Sequence, residues 1–231
     1  MQYGKYTLEQ YRPDFWLISD GHVREFLMVG EEDALLVDTG FGKGDLLELI
    51  RQITHKTIRV VLTHGDRDHA GGVGSFPCAH CHPAEFAMLA NAHLDTPLKP
   101  VWEHDELRCG GYCLEAIHIP GHTPGSIALF ERSKRFMITG DSISKGPIFM
   151  MGEHRNMTAL IASLNKLARM DLQDVEMLPS HYDCPLPSEY VRYTLDSAMK
   201  VLDGTVHGEP APAVFGDACK LYTQDGVQFY Y

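Results

Sequence analysis

Val60-Val61-Leu62-Thr63-His64-Gly65-Asp66-Arg67-Asp68-His69-Ala70-Gly71-Gly72 is the stretch whose reading decides the fold. It begins as a short apolar, β-branched run, the signature of a buried strand. It then delivers four residues able to bind a metal: His64, Asp66, Asp68 and His69. In extended chain, residues i and i+2 point to one side, so His64 and Asp66 can face one ion together. A turn after Asp66 swings Asp68 and His69 towards a second. Gly65 lets the backbone turn between ligands, and Gly71-Gly72 permits close packing where the next element begins. A polar surface loop with chance histidines is the bland alternative; a strand, a ligand loop and a Gly pair in that order argue against it.

Composition narrows the classes of function. The 231 residues suffice for one large domain, read here as residues 1–231 without a break in composition. With 44% hydrophobic and 22% charged residues the chain is of ordinary globular type. Its formal net charge is −11, and no Lys/Arg run forms a basic patch. Nucleic acid and anionic membrane surfaces are therefore not expected as partners; a small-molecule substrate is. No apolar segment of membrane-spanning length is present, and Met1–Tyr11 has no apolar signal core. The six cysteines (78, 81, 109, 113, 184 and 219) are accordingly expected to be reduced and the protein cytoplasmic. The sequence leaves the oligomeric state open, a homodimer included.

Outward from the central stretch, Phe15–Ile18, Val23–Val29 and Ala34–Val37 read as strands of an antiparallel meander. The last ends at Asp38-Thr39-Gly40, where Asp38 is either a turn residue or the acceptor that orients a ligating histidine. Leucine spacing predicts a helix over Asp45–Ile53, followed by the Ile58–Leu62 strand. Cys78, Cys81 and His82 spell C-x-x-C-H, which alone suggests covalent haem attachment. Without an export signal, a short strand entering a helix opened by Pro83 and continued over Ala84–Ala92 is the better reading. Strands follow at Tyr112–Ile119, Ile127–Phe130, Phe136–Ile138 and Val175–Leu178, with helices at Met157–Met170 and Tyr190–Leu202. Ile143–Asn156 has no regular pattern and looks exposed at Phe149, Met150 and Met151, which makes Phe149 and Met150 candidates for a substrate wall. Val206–Pro212 reads as a connector and Lys220–Tyr231 as two short strands around Asp225-Gly226. The element order suggests two similar halves, each a sheet covered by helices, packed sheet to sheet.

Four strand ends carry His, Asp or both beside Gly, Pro or Ser: the central stretch, His122, Asp141 and His181. Thr63-His64-x-Asp66-x-Asp68-His69-x-Gly71-Gly72, Gly121-His122-Thr123-Pro124-Gly125-Ser126, Thr139-Gly140-Asp141 and Ser180-His181, with Asp38-Thr39-Gly40 before them, together resemble the metallo-β-lactamase superfamily. Their order covers nearly the whole chain. The resemblance implies an α+β fold, the four-layer αββα sandwich, with a dinuclear metal site. It also implies that His64, Asp66 and His122 hold one metal and Asp68, His69 and His181 the other, with Asp141 bridging. Asp66 departs from the pattern, which usually has histidine there. Flavodiiron proteins of the superfamily carry glutamate at this place, so two Zn²⁺ are expected but Fe or Mn is compatible with the oxygen donor.

The chemistry implied is hydrolysis by a metal-bridging hydroxide of a small ester, thioester, lactone or phosphodiester, as in the glyoxalase II-like hydrolases the chain resembles in size and motif order. Asp68, the most characteristic position, is the expected catalytic carboxylate. The competing reading is a non-haem iron or di-iron oxidoreductase of the same fold, flavodiiron-like or persulfide dioxygenase-like. A nuclease is disfavoured by the charge, and a non-catalytic binding module by the intact ligand set.

Overall fold

The computed structural model describes residues 2–92, 96–214 and 217–231. They form two compact units: residues 2–92, 96–117 and 129–132, and residues 118–128, 133–214 and 217–231.

The first unit is built on an eight-stranded sheet whose strands lie in chain order. Gln2–Tyr3, Tyr6–Arg12, Phe15–Ser19, Arg24–Val29 and Asp33–Val37 run antiparallel. Thr57–Val61, Ala79–Cys81 and Leu98–Pro100 continue in parallel, which requires crossovers. The first crossover is the helix Leu46–Ile53, whose Leu46, Leu49 and Ile50 pack on Leu36, Ile58 and Val60. The opposite face is also buried, at Phe15, Phe26, Met28, Leu35 and Val61. A hairpin of Glu106–Cys109 and Tyr112–His118 lies on that side: Tyr112 meets Phe15 edge-on at 5.8 Å, and the Cys109 thiol donates to the Met28 carbonyl. Burial on both faces is why these strands read as continuous apolar runs.

The Cys81 part of the C-x-x-C-H string lies in the Ala79–Cys81 strand, fully buried. Burial, reinforced by Glu85, pushes its thiol up to about 12, so the free thiolate that a haem attachment would use is disfavoured. The helix expected after Pro83 begins as a 3₁₀ turn, Pro83–Glu85, and becomes α-helical over Phe86–Asn91.

In the second unit Phe136–Gly140 pairs in parallel with Glu176–Pro179, which is edged by Leu186–Pro187. The helices Met157–Leu167 and Tyr190–Asp203 pack on each other. Asn156 caps the first, its side-chain oxygen accepting from the Ala159 N–H. That helix ends three residues before the expected Met170.

Two expectations are corrected here. Ile143–Asn156 contains a strand, Pro147–Phe149, paired in parallel with Val227–Tyr230. Met150 is buried rather than exposed, and the half-buried Phe149 ring lies 5.1 Å from that of Tyr230. The supposed connector is largely a strand, Glu209–Val214, at the edge of a four-stranded sheet with Asp217–Gln224, Val227–Tyr230 and Pro147–Phe149. Pro210 and Pro212 are tolerated because an edge strand need not donate every N–H. Among the described residues no helix is long and apolar enough to cross a membrane.

Candidate metal centre

In the first unit the ligand loop starts where the Thr57–Val61 strand stops. Asp66 stands at the N-terminus of a single helical turn, Arg67–Ala70, and its carbonyl accepts from the His69 and Ala70 N–H groups. That turn presents Asp68 and buries His69. Gly71 and Gly72 lie against the backbone of residues 39–41: a Cβ on Gly72 would sit 2.3 Å from the Thr39 carbonyl oxygen. Close packing is thus their role, as read from the sequence. Gly65 differs from its expected part. Its φ is not among the positive ones; a Cβ there would meet Met88 Cε at 2.6 Å and Glu85 Oε2 at 2.7 Å. It provides clearance for Glu85, which accepts from the Gly65 N–H at 2.7 Å.

Asp38 resolves its two readings by being both. It ends its strand with φ +64, and its buried carboxylate organises the loop. Oδ1 accepts from the Thr63 N–H at 2.7 Å, and Oδ2 accepts from the Thr63 hydroxyl and from His69 Nδ1, each at 2.8 Å. Because the Thr63 hydroxyl spends its proton on Asp38, it must accept from His64 Nδ1, 3.0 Å away. One carboxylate therefore fixes both imidazoles with Nδ1 protonated and the Nε2 lone pair turned outward.

Those lone pairs face carboxylates. His64 Nε2 is 3.5 Å from Asp66 Oδ2, and His69 Nε2 is 3.7 Å from Asp68 Oδ2.

The second unit repeats the arrangement. His122 is held in a buried turn in which the Thr123 N–H and hydroxyl meet Ser126 Oγ. Gly121, at φ +148, lies against the Leu160 backbone, where a Cβ would come within 2.4 Å. His122 Nδ1 donates to the Phe149 carbonyl at 3.1 Å, which again leaves Nε2 as the acceptor atom. It faces Asp141 Oδ2 at 3.5 Å. His181 Nε2 lies 3.3 Å from the same oxygen. Asp141 follows the Phe136–Gly140 strand directly, and His181 stands two residues beyond Glu176–Pro179.

Two acceptors aimed at each other repel unless a cation lies between them. Direct charge-assisted hydrogen bonds would be about 2.7–2.9 Å. A tetrahedral ion with bonds of about 2.1 Å holds its ligand atoms about 3.4 Å apart. The observed 3.3–3.7 Å fits the second case, so the donor set suits a divalent metal.

The sequence profile of the metallo-beta-lactamase superfamily matches residues 23–179. The chain belongs to this superfamily. Metallo-β-lactamase IND-7 superposes with a TM-score of 0.73 at 17% identity, over 86% of this chain and all of that one; the fold is the α+β metallo-β-lactamase sandwich. Among curated relatives, the acyl-coenzyme A thioesterase MBLAC2 of Gallus gallus is 24% identical over 200 residues, covering 68% of this chain and 72% of its own. The hydroxyacylglutathione hydrolase GloC of Haemophilus influenzae is 25% identical over 154 residues, covering 57% and 73%.

Three residues beside these side chains went unread in the sequence. Glu85 is one. Glu25 is another: it is fully buried in the Arg24–Val29 strand, with an oxygen 2.4 Å from where a Gly40 Cβ would be. Burial first, then Asp20 and Asp38, hold its carboxyl well above the usual range. A lone carboxylate inside an apolar strand was the available signal. The third is Tyr182, at φ +58 beside His181. Burial, Asp141 and Tyr230 raise its phenol above the ordinary value.

Proposed function

We propose that this protein is a dinuclear metal-dependent hydrolase acting on a small thioester, within the broader class of ester, lactone and phosphodiester hydrolysis. One observation carries the reading: the Nε2 atoms of His64, His69 and His122, with their tautomers fixed, stand 3.5–3.7 Å from carboxylate oxygens, and His181 Nε2 stands 3.3 Å from Asp141 Oδ2, the spacing of ligands around an ion. In this reading His64, Asp66 and His122 would hold one metal, Asp68, His69 and His181 would hold the second, and Asp141 would be available to both. Bound divalent cations would supply Lewis acidity at the substrate carbonyl and lower the pKa of water towards roughly 7.

The chain's own residues do the rest. Asp38 and Thr63 hold His64 and His69 in the ligating tautomer, and the Phe149 carbonyl does so for His122. Asp68 is half-buried at the start of its helical turn, where its second oxygen can orient a water and take its proton. Water's oxygen bonds to the acyl carbon, the carbon–sulfur bond breaks, and the proton goes to the departing thiolate. The choice of thioester rests on MBLAC2 and GloC, whose names denote hydrolysis of acyl groups carried on coenzyme A and glutathione.

Asp66 favours one alternative. A carboxylate in place of the usual histidine suits harder ions, so iron with oxidative chemistry is the second reading. Elemental analysis of purified protein, an optical spectrum, and thiol release from acetyl-coenzyme A and S-lactoylglutathione separate them. Colourless protein with two zinc ions per chain and chelator-sensitive thiol release is expected. Iron with a near-ultraviolet charge-transfer band and no thiol release would overturn the hydrolase reading.

A further inference from the structure

Tyr182 is held in place by arrangements that core packing does not explain. It follows His181 directly, and the two rings lie 6.1 Å apart at 49°. Its backbone is left-handed, a region a bulky side chain rarely adopts and one that concentrates at functional sites. One face of the ring rests on Gly146, where a Cβ would lie 2.5 Å from Cδ2 and 2.6 Å from Cγ. Glycine at this position is thus required by the ring above it. The loop after Asp141 is tied to the loop after His181 a second time, by Lys145 Nζ and Asp183 Oδ2 at 2.6 Å. Yet the tyrosine remains 49% exposed. A large aromatic surface is fixed at the ligand loops and left open.

A second aromatic pair adjoins another ligand candidate, His122. The Phe149 ring lies 5.1 Å from that of Tyr230, and the Phe149 carbonyl is the acceptor for His122. Tyr230 belongs to the C-terminal strand Val227–Tyr230, beyond the 23–179 match to the family profile. Its carbonyl accepts from the Met150 N–H at 2.8 Å, so this late segment fixes the strand that orients a ligand histidine.

We infer that Tyr182, held on Gly146 beside His181, is the specificity wall for the apolar acyl chain of the substrate. Ligand sites are mostly apolar, with few polar groups at the reacting end, and an exposed ring next to His181 supplies the apolar part. This rests on the hydrolase reading for the word acyl. The ring's affinity for an alkyl chain can be measured without any reaction.

The experiment uses S-ethyl and S-octyl thioethers of N-acetylcysteamine, which contain no cleavable acyl bond. Calorimetric Kd values are compared for wild type, Tyr182→Ala, Tyr182→Phe and Gly146→Ala, with metal content and melting temperature recorded for each. Wild type should bind the octyl compound at least about tenfold more tightly than the ethyl one. Tyr182→Ala should lose about tenfold on octyl and under about twofold on ethyl. Gly146→Ala, which pushes the ring away, should follow it, and Tyr182→Phe should keep the wild-type ratio. A wild type indifferent to chain length, or a Tyr182→Ala loss equal for both compounds, would overturn the inference. Chain-length selectivity without thioester hydrolysis would remove the hydrolase reading and leave the wall standing.

Discussion

Replacing Asp38 by asparagine should cost metal affinity without touching a ligand. Asn tolerates the left-handed conformation that residue 38 adopts at φ +64, so the turn survives. The hydrogen bonds do not. The carboxylate accepts from the Thr63 N–H, the Thr63 hydroxyl and His69 Nδ1. If the amide oxygen keeps the Thr63 N–H, the NH₂ group faces two donors. Thr63 can rotate its hydroxyl, but His69 must give up the Nδ1 proton and carry it on Nε2. The atom that faces Asp68 Oδ2 at 3.7 Å then bears hydrogen and no lone pair. Losing such a support typically weakens metal binding 10–100-fold. Hydrogen bonds to a charged group are worth about 1.5–3 kcal/mol each. Relief from burying a charge offsets part of that. A stability loss of about 2 kcal/mol is expected. Competition with a chromophoric chelator reads the affinity, and ¹⁵N NMR of the His69 ring reads the tautomer. Affinity within about threefold of wild type, with the proton still on Nδ1, would refute the reasoning.

Three further outcomes follow from the same geometry. Asp66→His should fold and bind zinc more tightly, because imidazole suits Zn²⁺; weaker zinc binding on titration would mean that Asp66 is tuned to another ion. Asp68→Asn should fold, carry less metal, and lose about 10²–10⁴-fold in turnover with little recovery on adding metal; full recovery at high metal would show that Asp68 only holds the ion. Glu25, raised by burial with Asp20 and Asp38, is protonated in the fold over a range where the unfolded chain has ionised it. Its contribution is therefore fully present below the unfolded pKa of about 4.3 and is lost as pH rises towards the folded value. The slope reaches at most about 1.4 kcal/mol per pH unit. Glu25→Gln should remove it in denaturant titrations at pH 5, 6 and 7, and an unchanged slope would place the pH dependence elsewhere.

What the sequence made legible follows from where its signals are local. The apolar run before His64 and the Gly71-Gly72 pair after it could be read because strand burial and glycine packing each act over a few residues. Asp38 stood visibly at a strand end, but only coordinates show its carboxylate reaching both Thr63 and His69. The Tyr6–Arg12 strand was missed because much of it is solvent-exposed and gives little apolar alternation. Pro147–Phe149 is three residues long and exists through its partner Val227–Tyr230, far along the chain. Glu209–Val214 was hidden by its prolines, which an edge strand accepts. Tyr182 carried no spacing signal; the ring's placement depends on Gly146, in another loop.

The central claim is that His64, Asp66, Asp68, His69, His122, Asp141 and His181 serve one dinuclear centre. Anomalous diffraction from crystals of metal-loaded protein, at the zinc and iron edges, tests it most directly. The account predicts two peaks about 3.5–4 Å apart. One should be bounded by His64, Asp66 and His122, the other by Asp68, His69 and His181, with Asp141 touching both. A single peak, or peaks bound to only one of these sets with the rest more than about 10 Å away, far beyond metal–ligand bonds of about 2.0–2.2 Å, would contradict it.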